Sequence, residues 1–368
     1  MKKKYYIPVL LILSLVLLPG FLQTNVSSSS QIETSSERPK IVAYMSITED
    51  WTRQLLRNIE ADVFTLVSGN EDIHSYDPSS EALLKMDGAD LFVKLNIPIE
   101  AYADQIAGQF PDVPTVNLWV NVTDDPVWGY EPRKDPKWQH PAQPPNMHMW
   151  TSPSIARNFV HRLADGLKST IGTTDLINST IQSNLEIYDL QLNSTLNWMK
   201  TIRNTTEYKN LKLVPFHPAF FYFLEDDLNI SRIGVIEEKP GVEVSLTHLD
   251  YIRSILNSSC TIIWHPQESI SGKYANDLSA ETGATSTMLT PLLPIQTPTE
   301  WIPKFGSQID TFLEMVEFNT YQLINEMPYE TAQNDNLIPG FDFIFILISL
   351  FGVSSILLLM YRKRKIKE

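Results

Sequence analysis

The 368-residue chain holds one cysteine, Cys260, so no disulfide can form within it. Cys260 also lies far from the N-terminus, and an N-terminal lipid anchor is therefore not expected. Positive charge is scarce: 29 Lys and Arg stand against 43 Asp and Glu, a formal net charge of −14. Nucleic acid demands a basic face, so that partner is excluded. An acidic surface is compatible with attracting cations, although solubility alone produces many such surfaces. No Gly-x-x-x-x-Gly-Lys-Ser/Thr phosphate loop is present, and no His-Glu-x-x-His helix. The chain is thus not itself an ATPase of the phosphate-loop kind, nor a zinc protease of the helical motif.

Long apolar runs are confined to the two ends. Met1-Lys2-Lys3-Lys4 precedes an apolar stretch from Tyr5 to about Leu22, the pattern of a secretory signal, taken as 1–25. Residues 343–361 carry no charge. At about 1.5 Å per residue they would make roughly 28 Å of helix, the thickness of a bilayer core. The tail 362–368 opens Arg362-Lys363-Arg364-Lys365, and a basic cluster belongs on the cytoplasmic side. The expectation is a single C-terminal transmembrane helix in the cell membrane, with an extracellular ectodomain. Sequons at Asn25, Asn121, Asn178, Asn193, Asn204, Asn229 and Asn257 agree with a surface glycoprotein.

Between these ends, short apolar runs alternate with amphipathic stretches. Ile41–Tyr44, Val63–Val67, Leu91–Leu95 and Thr115–Leu118 read as strands, with helices from Trp51 and Ser80. Residues 119–145 are irregular, with six prolines among charged residues. Apolar residues at three- and four-residue spacing predict a long helix from Asp175 to Arg203. Strands are then expected at Leu211–Phe216, Arg232–Ile236, Cys260–Trp264 and Ser286–Leu289. Helices are expected from Ser245, over Ser271–Thr282 and over Phe305–Glu326. Such alternation predicts an α/β fold of two similar parallel-sheet lobes joined by a long bridging helix. The predicted organisation is an N-terminal lobe over 38–170, the bridge over 175–204 and a C-terminal lobe over 206–327.

Four of seven histidines follow strands or close loops: His74, His148, His217 and His265. Ligands of open α/β sheets bind beyond the strand ends, so a cleft between lobes could gather them. Imidazole suits zinc, copper, nickel and iron. His161 and His248 fall within predicted helices and read as surface or cap-region residues. His140, in the irregular segment, is a possible accessory ligand. A site of neutral imidazoles should lose affinity as pH falls through about 6.5.

Four stretches resemble the solute-binding proteins of zinc and manganese ABC importers, the ZnuA/TroA-like group. They are Asp72-Ile73-His74-Ser75-Tyr76-Asp77-Pro78, His148-Met149-Trp150-Thr151-Ser152-Pro153, His217-Pro218-Ala219-Phe220, and Trp264-His265-Pro266-Gln267 with Glu281-Thr282-Gly283-Ala284. The resemblance runs in order over nearly the whole ectodomain. It implies two α/β lobes with metal held between them, His74, His148 and His217 as ligands, and 119–145 as the family's variable loop. It implies Zn2+ as the transported ligand, with Mn2+, Fe2+, Cu2+ and Ni2+ as alternatives. It also implies a permease and an ATPase as separate partner chains. The family's fourth, carboxylate ligand lies in a Leu-Asp-Pro segment that reads Leu289-Thr290-Pro291 here, leaving Thr290 a possible accessory contact. Where the family usually has glutamate this chain has His265, a candidate substitute.

The function expected is capture of a metal ion for import, by a monomeric ectodomain that is not an enzyme. The alternatives are an extracellular zinc-dependent hydrolase, or a surface adhesion protein that kept the fold.

Overall fold

The computed structural model describes residues 38–69, 71–267 and 271–324. The expected signal (1–25), C-terminal helix (343–361), basic tail (362–368) and the Asn25 sequon lie outside them. Among the described residues no helix is long and apolar enough to cross a membrane.

The first sheet is built from β1 (Lys40–Met45), β2 (Asp62–Val67), β3 (Leu91–Lys94) and β4 (Thr115–Asn117), all parallel, in the order β2-β1-β3-β4. Position in the sheet explains the sequences. Central β1 reads Lys-Ile-Val-Ala-Tyr-Met and is buried from Ile41 onward, because helices cover both of its faces. Edge strand β2 leaves Asp62 and Phe64 exposed. The crossovers carry α1 (Ser46–Leu55), α2 (Ser80–Met86) and α3 (Ala103–Gln109).

After the irregular 119–145 segment come α4 (Pro153–Thr170) and α5 (Asp175–Ile202). Ser152 caps α4 by accepting from the Ile155 N–H at 3.3 Å, and Pro153 occupies its first turn. At 28 residues, α5 is about 42 Å long. It buries Ile181, Leu185, Tyr188, Leu192 and Met199 along one stripe. Its Asn184 donates to the carbonyls of Leu55 and Arg57, at 2.9 and 2.8 Å, closing the end of α1.

Beyond a single turn, α6 (Thr206–Lys209), the second sheet contains β5 (Leu213–Pro215), β6 (Thr261–Trp264) and β7 (Thr285–Met288), parallel and in that order. Helices α7 (Leu246–Ile255) and α8 (Ser271–Thr282) flank it. A short antiparallel pair, β8 (Ile295–Gln296) and β9 (Gln308–Ile309), encloses the turn α9 (Ile302–Phe305), and α10 (Phe312–Gln322) follows.

Two sequence expectations are corrected. Arg232–Ile236 is not a strand. It makes one bridge, to Leu213, and sends the Ile233 and Ile236 N–H groups to Leu213 and Pro215 carbonyls at 2.9 and 3.0 Å. Pro215 has no N–H to return, so the pairing stays one-sided, the Ile236 and Glu237 N–H groups donating to the Pro215 and Phe216 carbonyls. The last helix begins at Phe312, not Phe305. Gly306 sits at φ 72°, a left-handed conformation that ends α9. Thr311 then opens α10 through a capping box with Glu314.

Candidate metal centre

Each candidate histidine is held by a different local device. In the loop after β2, Asp72 Oδ1 accepts from the His74 backbone N–H at 2.9 Å, and the Tyr76 hydroxyl donates to Leu66 O at 2.9 Å. This folds the loop back over its own strand. His148 precedes a 3-10 turn, Met149–Thr151, which runs into the Ser152 cap. The Trp150 indole N–H donates to Pro291 O at 2.8 Å, tying this turn to the second half of the chain. His217 lies two residues beyond β5 and starts another 3-10 turn, Pro218–Phe220. His265 directly follows β6.

The structure brings three of these together. The Nε2 atoms of His74, His148 and His217 are mutually separated by 3.1 Å (74–217), 3.3 Å (74–148) and 2.8 Å (148–217). Zinc–imidazole bonds of about 2.0–2.1 Å in tetrahedral geometry require nitrogens about 3.3 Å apart. The triad is therefore close to the spacing that one small cation demands, and could hold a metal ion. His148 and His217 are buried, and His74 is half-buried.

Their outer nitrogens are also engaged. Asn146 Oδ1 lies 2.8 Å from His148 Nδ1. Glu237 Oε2 meets His217 Nδ1, while Glu237 Oε1 accepts from the Gly241 N–H at 3.0 Å. Either acceptor places the proton on Nδ1 and leaves the Nε2 lone pair for a metal, the usual second support of a ligating histidine. Burial pushes the triad's basicity down: His74 to about 4, with the neighbouring His217 charge adding to it, and His217 to about 3. His148 is held well below the ordinary imidazole range, by burial and then by His217 and His74. Neutral imidazole is the ligating form.

The remaining candidates stand differently. His265 is buried and lines the same cleft, its ring centroid 5.4 Å from that of His217, but it is outside the converging triad. Thr290 is fully buried, and its hydroxyl donates to Leu292 O at 2.7 Å; it is not among the residues lining the cleft. His140 is half-buried, accepts from the Ala142 N–H at 3.0 Å and packs on Trp138. His161 pairs with Asp189 at 2.8 Å and lies under Trp128. His248 is in the first turn of α7, yet buried rather than on the surface; its Nε2 donates to Val235 O at 2.9 Å. Sequence reasoning did not single out Asn146 or Glu237. Asn146 was legible only as a neighbour two residues before His148. Glu237 lies 20 residues from its histidine, and no local signal connects them.

The cleft beside the triad has a cavity volume of about 20 Å³, room for one small ion or water, and is lined by Asp72, His74, His148, Trp150, His217, His265 and Gln267, among others. That is below the roughly 300–1,000 Å³ of sites for organic ligands. Gln267 donates to Gly69 O at 2.7 Å across it. At Gly69 a Cβ would sit 2.3 Å from Pro294 O, so only glycine allows that approach.

Two parallel α/β sheets, with three imidazoles converging where their loops meet, define an α/β protein with a cleft suited to a metal ion. The chain belongs to the family described as zinc-uptake complex component A, periplasmic, whose sequence model matches residues 41–326. It is 25% identical over 275 residues to the zinc-binding lipoprotein AdcA of Streptococcus pneumoniae, covering 73% of this chain and 52% of that protein. It is 22% identical over 280 residues to the high-affinity zinc uptake system protein ZnuA of Bacillus subtilis, covering 73% and 83%. The chain thus spans about half the length of the Streptococcus pneumoniae relative. Among solved structures it resembles a crystal structure of ZnuA, with TM-score 0.61 and 18% identity, over 78% of this chain and 99% of that one. It also resembles the solute-binding protein FpvC of Pseudomonas aeruginosa in complex with Mn2+, with TM-score 0.62 and 15% identity, over 78% and 98%. At such identities the structural likeness shows the fold.

The expected anchorage is corrected here. The Streptococcus pneumoniae relative is named a lipoprotein, and no described helix could span a membrane. Localisation through a C-terminal transmembrane helix is therefore not supported.

Proposed function

We propose that this chain is the solute-binding component of a metal-ion ABC importer, and that zinc is its cargo. His74, His148 and His217 are the proposed ligands, with a permease and an ATPase as separate partner chains. The proposed organisation is a first lobe over 38–170, a connecting helix over 175–204 and a second lobe over 206–327. The observation that carries this reading is the mutual approach of three Nε2 atoms, 2.8–3.3 Å apart. Three neutral nitrogen lone pairs gain little from one another at that spacing and a great deal from a shared cation.

Zinc is preferred because three imidazoles and no thiolate form a borderline donor set. Relatives are named for zinc and for iron, and solved neighbours hold manganese, nickel and cadmium, so the cargo is a matter of selectivity within one fold. A hydrolase would need a carboxylate poised over an open metal position. Glu237, buried against the triad, is instead committed to His217 and Gly241, and the cleft is small for an ester or a peptide. Calorimetric titration of the demetallated protein with zinc, manganese and copper tests the proposal. Micromolar or tighter zinc binding that disappears in His217→Ala supports it; no binding of any metal refutes it.

A further inference from the structure

Asn146 sits where the 119–145 segment, His148 and the second lobe meet. It has no exposed surface. Its Oδ1 lies 2.9 Å from the His148 backbone N–H and 2.8 Å from His148 Nδ1. Its Nδ2 donates at 2.9 Å to the carbonyl of Pro218, the residue after His217. Its own backbone is fixed as well: the N–H donates to Arg133 O at 2.7 Å, and the carbonyl accepts from the Tyr222 hydroxyl at 2.7 Å. One amide therefore grips a candidate ligand on one side and the neighbour of a second on the other, 72 residues away in sequence.

We infer that Asn146 is a positioning residue for the metal site, an inference that rests on the functional reading above. It fixes His148 with its proton on Nδ1 and Nε2 directed at the cluster. It also sets the separation of His148 and His217 by holding Pro218. The amide does both at once, since its oxygen accepts while its nitrogen donates. A carboxylate keeps the acceptor for His148 but has no N–H for Pro218, and alanine releases both partners. Metal affinity thus depends on a side chain that does not touch the ion.

The test is zinc affinity by chelator competition, together with the visible absorption of bound Co2+, for the whole chain and for Asn146→Ala, Asn146→Asp and Asn184→Ala. Asn184→Ala removes a buried amide with two hydrogen bonds far from the histidines, so it matches the structural cost without touching a ligand. Loss of the outer support of a metal-binding histidine weakens binding by about 10–100-fold. That loss is expected for Asn146→Ala, with altered cobalt bands. A smaller loss is expected for Asn146→Asp, and an unchanged affinity for Asn184→Ala. If the alanine variant does not fold, the aspartate variant decides: weaker zinc binding with changed cobalt bands supports the inference. Affinity within twofold of the parent in every variant that folds, or an equal loss in Asn184→Ala, overturns it. A parent protein that binds neither metal overturns the functional reading and this inference together.

Discussion

Arg232 and Asp135 meet in a two-pronged ion pair, at 2.7 and 2.8 Å, with neither side chain reaching solvent. Glu225 adds a further contact to the same guanidinium at 3.0 Å, and the Phe221 ring lies 4.8 Å from it. Two residues earlier in the irregular segment, Arg133 pairs with Asp226. Nearer its start, Asp125 pairs with Arg162 of α4 and Trp128 stacks on His161. The proline-rich stretch is therefore a clasp, fastened at one end to α4 and at the other to the second half of the chain. Removing one partner of a buried ion pair costs about 3–5 kcal/mol, because the other charge stays buried. Glu225 remains in Asp135→Asn, so about 3 kcal/mol is expected there. Urea unfolding of the metal-free protein measures it, and a loss under about 1 kcal/mol would show that the pair is not a fastening.

Glu237→Gln keeps the size of the carboxylate that meets His217 Nδ1 but removes its charge. The substitution should weaken zinc binding by about tenfold, and Glu237→Ala by up to about 100-fold. His265→Ala should lower affinity by less than about tenfold, because His265 is outside the triad. Substitution of His74, His148 or His217 should abolish micromolar binding. Chelator competition across the set checks the ordering. A loss in His265→Ala equal to that in His217→Ala would make His265 the fourth ligand.

Most of the element order was readable from local pattern, which also picked out four histidines at strand exits and loop ends, His74, His148, His217 and His265; the motif resemblance alone narrowed them to three. Strands such as Ile41–Tyr44 are continuous apolar runs, α5 has a clean helical stripe, and His217 lies two residues beyond a strand. What was not readable depends on partners distant in sequence. Arg232 looked like the first residue of a strand, but its side chain is drawn to Asp135, 97 residues away, and Pro215 denies the neighbouring ladder a donor. Thr290 and His140 were plausible by motif or type. Their hydrogen bonds to Leu292 and Ala142 keep them out of the cleft, and neither bond can be inferred from composition.

The pH dependence of metal binding separates the buried site from a solvated one. Burial holds His74 at about 4 and His217 at about 3. The folded triad thus stays neutral well below the 6.5 at which binding was expected to weaken from sequence. Three free imidazoles would lose roughly 1,000-fold in affinity at pH 5.5, about tenfold each. The folded site should lose less than about tenfold between pH 7.5 and 5.5, as read by zinc titration at both values. The cost appears in stability instead. A folded pKa depressed below the unfolded one gives stability that is full above about 6.5 and is lost as pH falls towards 4 and 3. The metal-free parent should therefore lose melting temperature across that window relative to a His74→Gln, His217→Gln variant, the opposing contribution of buried carboxyls such as Asp227 being common to both.

Asp227 carries the opposite sign. It is buried, and burial pushes its carboxyl up to about 7 against the hydrogen bonds of Ser154 and Ser152 at the start of α4. The unfolded value is about 3.9, so the folded state holds this proton more tightly than the unfolded chain does. Its contribution to stability is full below about 3.9 and is lost as pH rises to about 7. Asp227→Asn cannot ionise and escapes that loss. Relative to the parent, the variant should gain stability on going from pH 5 to pH 8, by roughly 1.4 kcal/mol for each tenfold by which folding tightens the hold on this proton. Thermal or urea unfolding of both proteins at the two pH values measures the change. A difference between them that is the same at pH 5 and pH 8 would mean that Asp227 ionises in the folded protein as it does in the unfolded chain.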